Sequence, residues 1–290
     1  MRAAQEVYGS IMTTPVPRIV AVFDRAADTY DDVGVAWFQP IARGLVDELA
    51  VQPGERVLDI GCGRGAALLP LAQATGGGGS VLGIDLSPRM VELTAADVQA
   101  LPQVRVAVAD AAAPGLAPGS FDVVASSLVL FFLADPAAAL RAWAELLVPG
   151  GRLGVTTFGS QDERWRAVEA VFTPYLPPAM LDARTSGARG GPFASDEGVQ
   201  GLLEGAGLTQ VRTASRTVEA VFTGPEQWLA FSWSHGQRAM WEAVPGDERP
   251  AVRRKIVDAL GPLQDAGGRI QLSQQVRHTL GRRQRTRPAS

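Results

Sequence analysis

The chain has 290 residues, with 46% apolar and 20% charged side chains, and its formal net charge is −3. This composition is that of a folded soluble protein and allows one large domain with a sizeable core. It excludes a general electrostatic grip on nucleic acid, which needs clustered positive charge. The one cysteine excludes an intrachain disulfide and indicates a reducing compartment.

The sequence carries no pattern typical of a secreted or membrane protein. No basic segment followed by an apolar one marks a signal peptide. The longest apolar run, Val123–Ala134, is too short to span a bilayer. We therefore expect a cytoplasmic protein with no membrane partner. A single lysine beside many Arg, Ala and Gly residues suggests a bacterial source of high GC content.

The predicted elements begin after residues 1–17, which lack periodicity and are expected to form a mobile arm. Apolar residues between Ile19 and Tyr30 follow helical spacing, and a second helix is expected around Ile41 and Leu45. Strands and helices then alternate, which is typical of a parallel sheet with crossover helices. The strands are expected at Arg56–Ile60, Val81–Ile84, Val104–Ala109, Phe121–Ala125, Arg152–Thr157, Val211–Val221 and Arg269–Leu280.

Two segments fall outside this alternation. Residues 159–194 are rich in Pro and Gly, and residues 223–266 are helical in pattern and rich in Trp and Phe. Such aromatic residues either form the core of a small cap or line a pocket for a flat apolar substrate, and both interpretations stay open. The chain ends in a basic tail that is expected to be frayed and solvated. Its arginines are Arg282, Arg283, Arg285 and Arg287.

The stretch VLDIGCGRG predicts a buried strand that runs into a glycine loop and then a helix. Its glycines, Gly61 and Gly63 among them, let backbone groups approach a ligand closely. Asp59 stands at the mouth of the loop, where its charge would repel a pyrophosphate but attract an ammonium or a sulfonium. The spacing up to Ala66 also satisfies a dinucleotide fingerprint, with Asp85 for a ribose hydroxyl, so a nicotinamide enzyme is a rival interpretation.

Five motifs in order carry a family resemblance: VLDIGCGRG, VLGIDLS, VADAAA, FDVVASSLVLFFL and LLVPGGRLGV. Over about residues 40–220 they resemble class I S-adenosylmethionine-dependent methyltransferases, nearest to the small-molecule group of ubiquinone and menaquinone C-methyltransferases. The segment FDRAADTYDDVG is similar to the N-terminal lid of that group. The resemblance implies an α/β fold: a Rossmann-like, seven-stranded, mostly parallel sheet with a reversed last strand, an N-terminal helical lid and helical cap insertions.

The resemblance also implies a domain organisation. We expect an arm with lid helices at 1–38 and a cofactor-binding core at 39–222, with an insert at about 159–194. A helical cap insertion follows at 223–266, and the last core strand with the basic tail occupies 267–290. The implied enzyme transfers a methyl group from S-adenosylmethionine to O, N or C of a small apolar or aromatic metabolite, in secondary metabolism.

The resemblance implies a role for residues that match the family motifs. Asp59 with the backbone of Gly61 and Gly63 would hold the methionine end of the cofactor, and Asp85 would bind both ribose hydroxyls. The other expected cofactor contacts are Leu86 on the adenine, Asp110 and Ala111 reading its edge, and Ser126 and Ser127 on the methyl side. No metal site is expected.

A methyl acceptor that is a neutral hydroxyl also needs a base, and His is the usual one near neutral pH. Of the two histidines, His278 falls in the last strand and is expected to be structural. His235, inside the aromatic cap, is the candidate base or substrate anchor, and Tyr30 is the second catalytic candidate. An acidic acceptor would need no base.

Two rival functions remain at this point. One is an NAD(P)-dependent oxidoreductase, and the other is a non-catalytic module that binds the same cofactor and a partner protein. The sequence predicts a small-molecule acceptor as the partner and no nucleic acid. Exposed aromatic residues of the cap are candidates for pairing two subunits in a homodimer.

Overall fold

A computed structural model describes residues 18–178, 181 and 189–285. Its centre is a seven-stranded sheet in the order β3-β2-β1-β4-β5-β7-β6. The first five strands run parallel, and β7 is antiparallel to both neighbours. The strands are β1 (Arg56–Ile60), β2 (Ser80–Asp85), β3 (Val104–Val108), β4 (Phe121–Ser127), β5 (Leu147–Gln161), β6 (Leu208–Phe222) and β7 (Ile270–Arg283). The predicted fold class and the reversed last strand are confirmed.

Helices cover both faces of the sheet, as a parallel sheet requires. The helices are α1 (Arg18–Ala26), α2 (Phe38–Leu49), α3 (Leu68–Thr75), α4 (Pro88–Asp97), α5 (Pro136–Leu146), α6 (Glu163–Glu169), α7 (Asp196–Gly205), α8 (Pro225–Trp233), α9 (Arg238–Ala243) and α10 (Arg249–Leu260). Along β1, Val57 packs towards α2 and α3, whereas Leu58 and Ile60 pack towards α5 and α7. Strand β1 is therefore apolar on both faces, which suits an interior strand that is covered by helices on both sides.

Capping side chains and prolines mark the start of two helices that follow strands. The hydroxyl of Ser87 accepts the N–H of Met90 at the start of α4, and the carboxylate of Asp135 accepts the N–H of Ala138 at the start of α5. Each of these helices has proline at its first position, where no N–H is needed. Because the helices begin directly after the strands, the strand ends face one common cleft.

Helices α6 and α8 to α10 pack with the far ends of β6 and β7 around an aromatic core. Trp228, Phe231 and Trp241 are buried there, and Trp165 of α6 joins them. We call α8, α9 and α10 the cap. The aromatic density of residues 223–266 therefore comes in large part from the core of this cap, one of the two interpretations that the sequence left open.

Helix α1 lies between the cap and the sheet and is held from both sides. The carboxylate of Asp24 accepts the hydroxyl of Ser87 at 2.7 Å and the N–H of Arg89 at 3.1 Å. On the other side Arg25 pairs with Glu242 of α9 at 2.5 Å. Helix α1 and the turn to Tyr30, which we call the lid, thus connect the cap to the start of α4.

The structure differs from the expected pattern at the last strands and the tail. Strands β5, β6 and β7 are longer than predicted, because they extend beyond the parallel core as antiparallel pairs. The expectation of a frayed basic tail is wrong for Arg282 and Arg283, whose guanidinium groups donate to the carbonyls of Gly150 and Glu145. The predicted arm at 1–17 and Arg287 lie outside the described residues. Within the described part, no helix is both long and apolar enough to cross a bilayer.

Gly44 of α2 provides a test of this packing. A Cβ added at Gly44 would overlap the buried imidazole of His278, whereas one at Gly201 of α7 meets no atom within 4 Å. We expect Gly44→Ala to lower the free energy of unfolding by about 1–3 kcal/mol through overpacking. We expect Gly201→Ala to raise it by about 0.5–1 kcal/mol through helix propensity. Urea unfolding followed by circular dichroism measures both, and an equal effect of the two substitutions would contradict the described contact.

Candidate active site

The carboxyl ends of β1 and β4 open into a cleft beneath the lid. Its lining combines the glycine loop, the lid and the end of β4. The lining residues are Tyr30, Asp31, Phe38, Asp59, Gly61, Cys62, Gly63, Arg64, Ala66, Ala67 and Ser127. A ligand cleft at the carboxyl ends of the strands, where the strand order reverses between β1 and β4, is what this type of sheet provides.

Asp59 is the most unusual group in the cleft. Its side chain is 1% exposed, and neither carboxyl oxygen has a hydrogen-bond partner. Burial, and secondarily the negative charge of Asp85, raise the pKa of Asp59 to about 7, and the nearby N–H of Leu68 offsets only part of this. A buried carboxylate without a partner is costly, so the fold holds this group ready for a cation.

The glycine loop is fixed to β2 by backbone bonds. The N–H of Gly61 donates to the carbonyl of Ile84 at 2.7 Å, and a Cβ at Gly61 would overlap the side chain of Val129. The N–H of Gly63 donates to the carboxylate of Asp85 at 2.9 Å, and the carbonyl of Gly63 accepts a hydrogen bond from the hydroxyl of Thr94. Both glycines line the cleft, as predicted, but these backbone groups are already used within the protein. Their contact with a ligand stays a prediction.

Asp85 joins the loop to the next helix. Its carboxylate accepts the N–H groups of Gly63 and Ser87, each at 2.9 Å. Burial raises its pKa above the usual range, although these N–H donors oppose the shift. A carboxylate that is oriented in this way can still accept hydroxyl protons on its remaining lone pairs, as the ribose assignment requires. Leu86 follows it and is half-buried at the same edge.

The end of β3 carries the residues expected to read a base. Asp110 is exposed, and its carboxylate accepts the N–H of Ala112 at 2.8 Å. The carbonyl of Ala111 accepts the indole N–H of Trp143 at 2.7 Å, so the adjacent backbone is held in place by α5. The expected roles of Asp110 and Ala111 towards an adenine stay predictions.

The two serines that end β4 have different surroundings in the structure. Ser127 lines the cleft. Ser126 is buried, and its hydroxyl donates to the carbonyl of Ile60 at 3.0 Å, across the junction of β4 and β1. Ser126 thus ties the two strands that carry Asp59 and Ser127, and its expected direct contact with a cofactor stays a prediction.

Two stacked rings, one from the lid and one from the start of α2, lie over the cleft. Tyr30 and Phe38 lie 4.6 Å apart, and Tyr30 also contacts Phe23 of α1. Burial raises the pKa of Tyr30 well above its usual range, with further contributions from Asp31 and Asp85. Tyr30 is therefore a neutral phenol over the cleft, and its aromatic face can stabilise a cation below it.

His235 contacts Phe38, which is one of the two stacked rings, and it also contacts Phe231. Its side chain is 8% exposed and its Nδ1 has no hydrogen-bond partner. Burial lowers the pKa of His235 to about 3, and the carbonyl of Phe231 opposes this only in part. The imidazole is therefore neutral at pH 7. His278 lies in β7, as predicted, with its Nδ1 3.0 Å from the hydroxyl of Thr156.

Sequence reasoning missed Asp31 and Arg64 as members of the cleft. Burial raises the pKa of Asp31 to about 6, and the N–H of Phe38 and the amide of Gln39 oppose the shift. Arg64 donates to the carbonyl of Ala27 at 3.0 Å and pairs with Asp97 at 2.7 Å. Both residues were visible inside the motifs, but only the docking of the lid on the glycine loop brings them together.

The cleft fits the cofactor that the motifs imply. Both carboxyl oxygens of Asp59 lack a hydrogen-bond partner, Asp31 is a second acid of the lining, and Asp85 at the end of β2 is a third acid beside the glycine loop. An ammonium, a sulfonium and a ribose diol satisfy these groups, whereas a pyrophosphate would add negative charge beside Asp59. Fold and cleft together define an α/β enzyme that binds a cationic nucleoside cofactor.

Comparisons with known proteins agree with this class. A model of the methyltransferase domain matches residues 58–155. Nocamycin O-methyltransferase of Saccharothrix syringae is 37% identical over 274 residues, which cover 90% of this chain and 97% of that protein. Aklanonic acid methyltransferase DauC of Streptomyces sp. (strain C5) is 40% identical over 167 residues, or 57% of this chain and 76% of that protein.

Solved structures share the fold at low identity. The YcgJ protein of Bacillus subtilis has a TM-score of 0.55 at 17% identity and covers 85% of this chain and 99% of its own. Phosphoethanolamine N-methyltransferase 2 of Haemonchus contortus, solved with S-adenosyl-L-methionine, has a TM-score of 0.51 at 16% identity, over 84% of this chain and 52% of its own. The chain belongs to the class I S-adenosylmethionine-dependent methyltransferases, and S-adenosylmethionine is its cofactor. These findings do not favour the two rival functions, an NAD(P)-dependent oxidoreductase and a non-catalytic cofactor-binding module.

The raised pKa of Asp59 predicts a pH-dependent cofactor affinity. Binding an ammonium requires the carboxylate, so below pH 7 the ligand must displace a proton from Asp59. We expect the Kd for S-adenosylhomocysteine to be about tenfold larger at pH 6 than at pH 8. Isothermal titration in buffers of different ionisation enthalpy should also detect proton release near pH 6.

Other charged groups face Asp59, so matched variants are needed. Asp59→Asn should bind more weakly and lose the step near pH 7. Asp31→Asn should keep that step, because the pKa of Asp31 lies lower, at about 6. Asp85 and Arg64 stay unchanged in both variants. A wild-type Kd that is equal at pH 6 and pH 8 would contradict the described environment of Asp59.

Proposed function

We propose that this protein methylates an acidic oxygen, such as a carboxylate, of a small apolar metabolite. The observation that carries the proposal is the protonation state of the candidate bases. His235 has a pKa of about 3, and the pKa of Tyr30 is raised well above its usual range. Neither group is matched to taking a proton from a neutral hydroxyl near pH 7, which general base catalysis requires. The acceptor oxygen therefore arrives already ionised.

The acids of the cleft are counter-ions in this proposal. Asp59 and Asp31 have raised pKa values only while no cation faces them. An ammonium near Asp59 and a sulfonium near Asp31 favour both carboxylates and lower these pKa values again. Both groups then become weak bases, and the aromatic faces of Tyr30 and Phe38 add to the stabilisation of positive charge.

A cluster of aromatic rings that follows β4 supports an apolar substrate, and we assign this cluster to the acceptor side of the cleft. Phe131 follows β4 and contacts Phe132, Phe158 and Phe193, at ring distances of 4.6, 5.5 and 6.3 Å. Phe132 is 42% exposed and also touches Phe23 of the lid. The names of the two relatives, a nocamycin O-methyltransferase and an aklanonic acid methyltransferase, further support an oxygen acceptor and an acidic substrate.

When bound, S-adenosylmethionine supplies an activated methyl group on a sulfonium. The chain's own residues orient and enclose the reactants. Asp59 and Asp85 fix the cofactor, Ser127 faces the methyl side, and the stacked Tyr30 and Phe38 exclude water. His235 is neutral and supports Phe38, and it positions the acceptor through that ring rather than acting as the base. Orientation of this kind supplies much of the acceleration for a donor that is already activated.

The cellular setting and assembly are proposals of a coarser kind. We propose a cytoplasmic, bacterial enzyme of secondary metabolism that works on a small molecule and not on nucleic acid. The net charge of −3 and the bacterial sources of both relatives support this. We also propose a homodimer, which hydrodynamic measurements can test. The proposed domain boundaries at 38, 222 and 266 can be tested by limited proteolysis.

A matched pair of acceptors tests the proposed chemistry. Anthraquinone-2-carboxylic acid is flat, apolar and ionised at pH 7, and 2-(hydroxymethyl)anthraquinone is its neutral counterpart. With wild-type enzyme and S-adenosylmethionine, we expect methyl ester from the acid and at least tenfold less ether from the alcohol, measured by mass spectrometry. A panel of other aromatic acids and their alcohols extends the comparison. Faster methylation of the alcohols would refute the proposal.

His235→Asn separates an anchor from a base. As an anchor, His235 should affect mainly KM, and the pH profile of kcat should keep its shape in the variant. As a base, its loss should lower kcat by two or more orders of magnitude and remove an ionisation from the profile. His235→Phe, which keeps the aromatic packing, controls for lost contacts with Phe38 and Phe231.

A further inference from the structure

The charges that line the cleft are unevenly distributed. Asp31 and Asp59 line it, and Asp85 lies close enough to raise the pKa of Asp59. Arg64 is the one basic residue in the described lining. The amino-acid end of the cofactor carries a carboxylate as well as an ammonium. Among acids, that carboxylate would be repelled unless a cation binds it, because like charges in a partly desolvated cleft repel strongly.

Arg64 is fixed in position but not fully bonded. One terminal nitrogen donates to the carbonyl of Ala27 in the lid, and the other pairs with Asp97 of α4. Its side chain is 20% exposed, whereas its Nε is buried and has no hydrogen-bond partner. A guanidinium with an unused N–H edge on the wall of a cleft is suited to an oxygen of a carboxylate.

We propose that Arg64 binds the carboxylate of the cofactor's amino-acid end and that its bond to Ala27 makes this binding depend on the closed lid. Asp59, which precedes the glycine loop, then binds the ammonium of the amino-acid end, and Arg64 of the loop binds its carboxylate. Ala27 precedes Tyr30 by three residues, so the turn that orients Arg64 also carries the ring that covers the cleft. The closed lid and the bound carboxylate stabilise each other through one guanidinium.

The test compares two ligands that differ only in the carboxylate. S-adenosylmethionine and its decarboxylated form share the adenosine, the sulfonium and the amine. By isothermal titration we expect wild-type protein to bind the decarboxylated form about 10- to 100-fold more weakly, the range typical of a charge-assisted bond. Arg64→Gln should lose that amount of affinity for S-adenosylmethionine and keep its affinity for the decarboxylated form. The ratio of the two Kd values should fall to near one.

Matched variants separate this role from a purely structural one. If Arg64 only held the lid in place, its loss would weaken the binding of both ligands equally and leave the ratio of Kd values unchanged. Asp97→Asn removes the ion pair of Arg64 but not its charge, and it should keep the wild-type ratio. Arg64→Lys keeps the charge and should keep part of the ratio, and thermal unfolding checks that each variant folds. A wild-type ratio in Arg64→Gln would overturn the proposal, as would equal binding of both ligands by the wild type.

Discussion

The structure depends on a carboxylate that folding buries without a partner. Asp59 is the second-to-last residue of the interior strand β1, and the sheet around it is too apolar to solvate its charge. In the proposed binding mode, the ammonium of the cofactor offsets the cost of this burial by supplying the missing cation. The glycine loop, the acid at the end of β2 and the lid are all arranged around this point. Cofactor binding therefore completes an electrostatic pairing that the fold leaves open.

The order of charges along the strand ends gives the cofactor a direction. In the proposed binding mode, Asp59 and Arg64 take the amino-acid end, Asp85 lies at the end of β2, and Asp110 follows β3. The methyl side then faces Ser127 and the aromatic residues that follow β4. This direction explains why a loop that also fits a dinucleotide fingerprint belongs to a methyltransferase. The discrimination comes from charge, because the backbone turn alone permits both ligands.

Much of the sheet and the cofactor cleft could be predicted from the sequence, because their signals are local. Buried strands, proline after a capping side chain, and the acids near the ends of β1, β2 and β3 are each recognised from a few consecutive residues. The bonds of Gly63 to Asp85 and of Asp24 to Ser87 could not be predicted, since the partners are 22 and 63 residues apart. The same holds for Arg64, whose role depends on where the lid docks. The pKa values of His235 and Tyr30 depend on burial, which a motif does not report.

The lid is fastened at the protein surface by ion pairs. Arg25 with Glu242 and Arg89 with Asp28 are both solvent-accessible pairs, at 2.5 and 2.6 Å. Mobile ions screen such pairs over about 8 Å at physiological ionic strength, and over much shorter distances in concentrated salt. Concentrated salt therefore weakens the fastening of the lid, and we expect the lid to open more readily as the ionic strength rises.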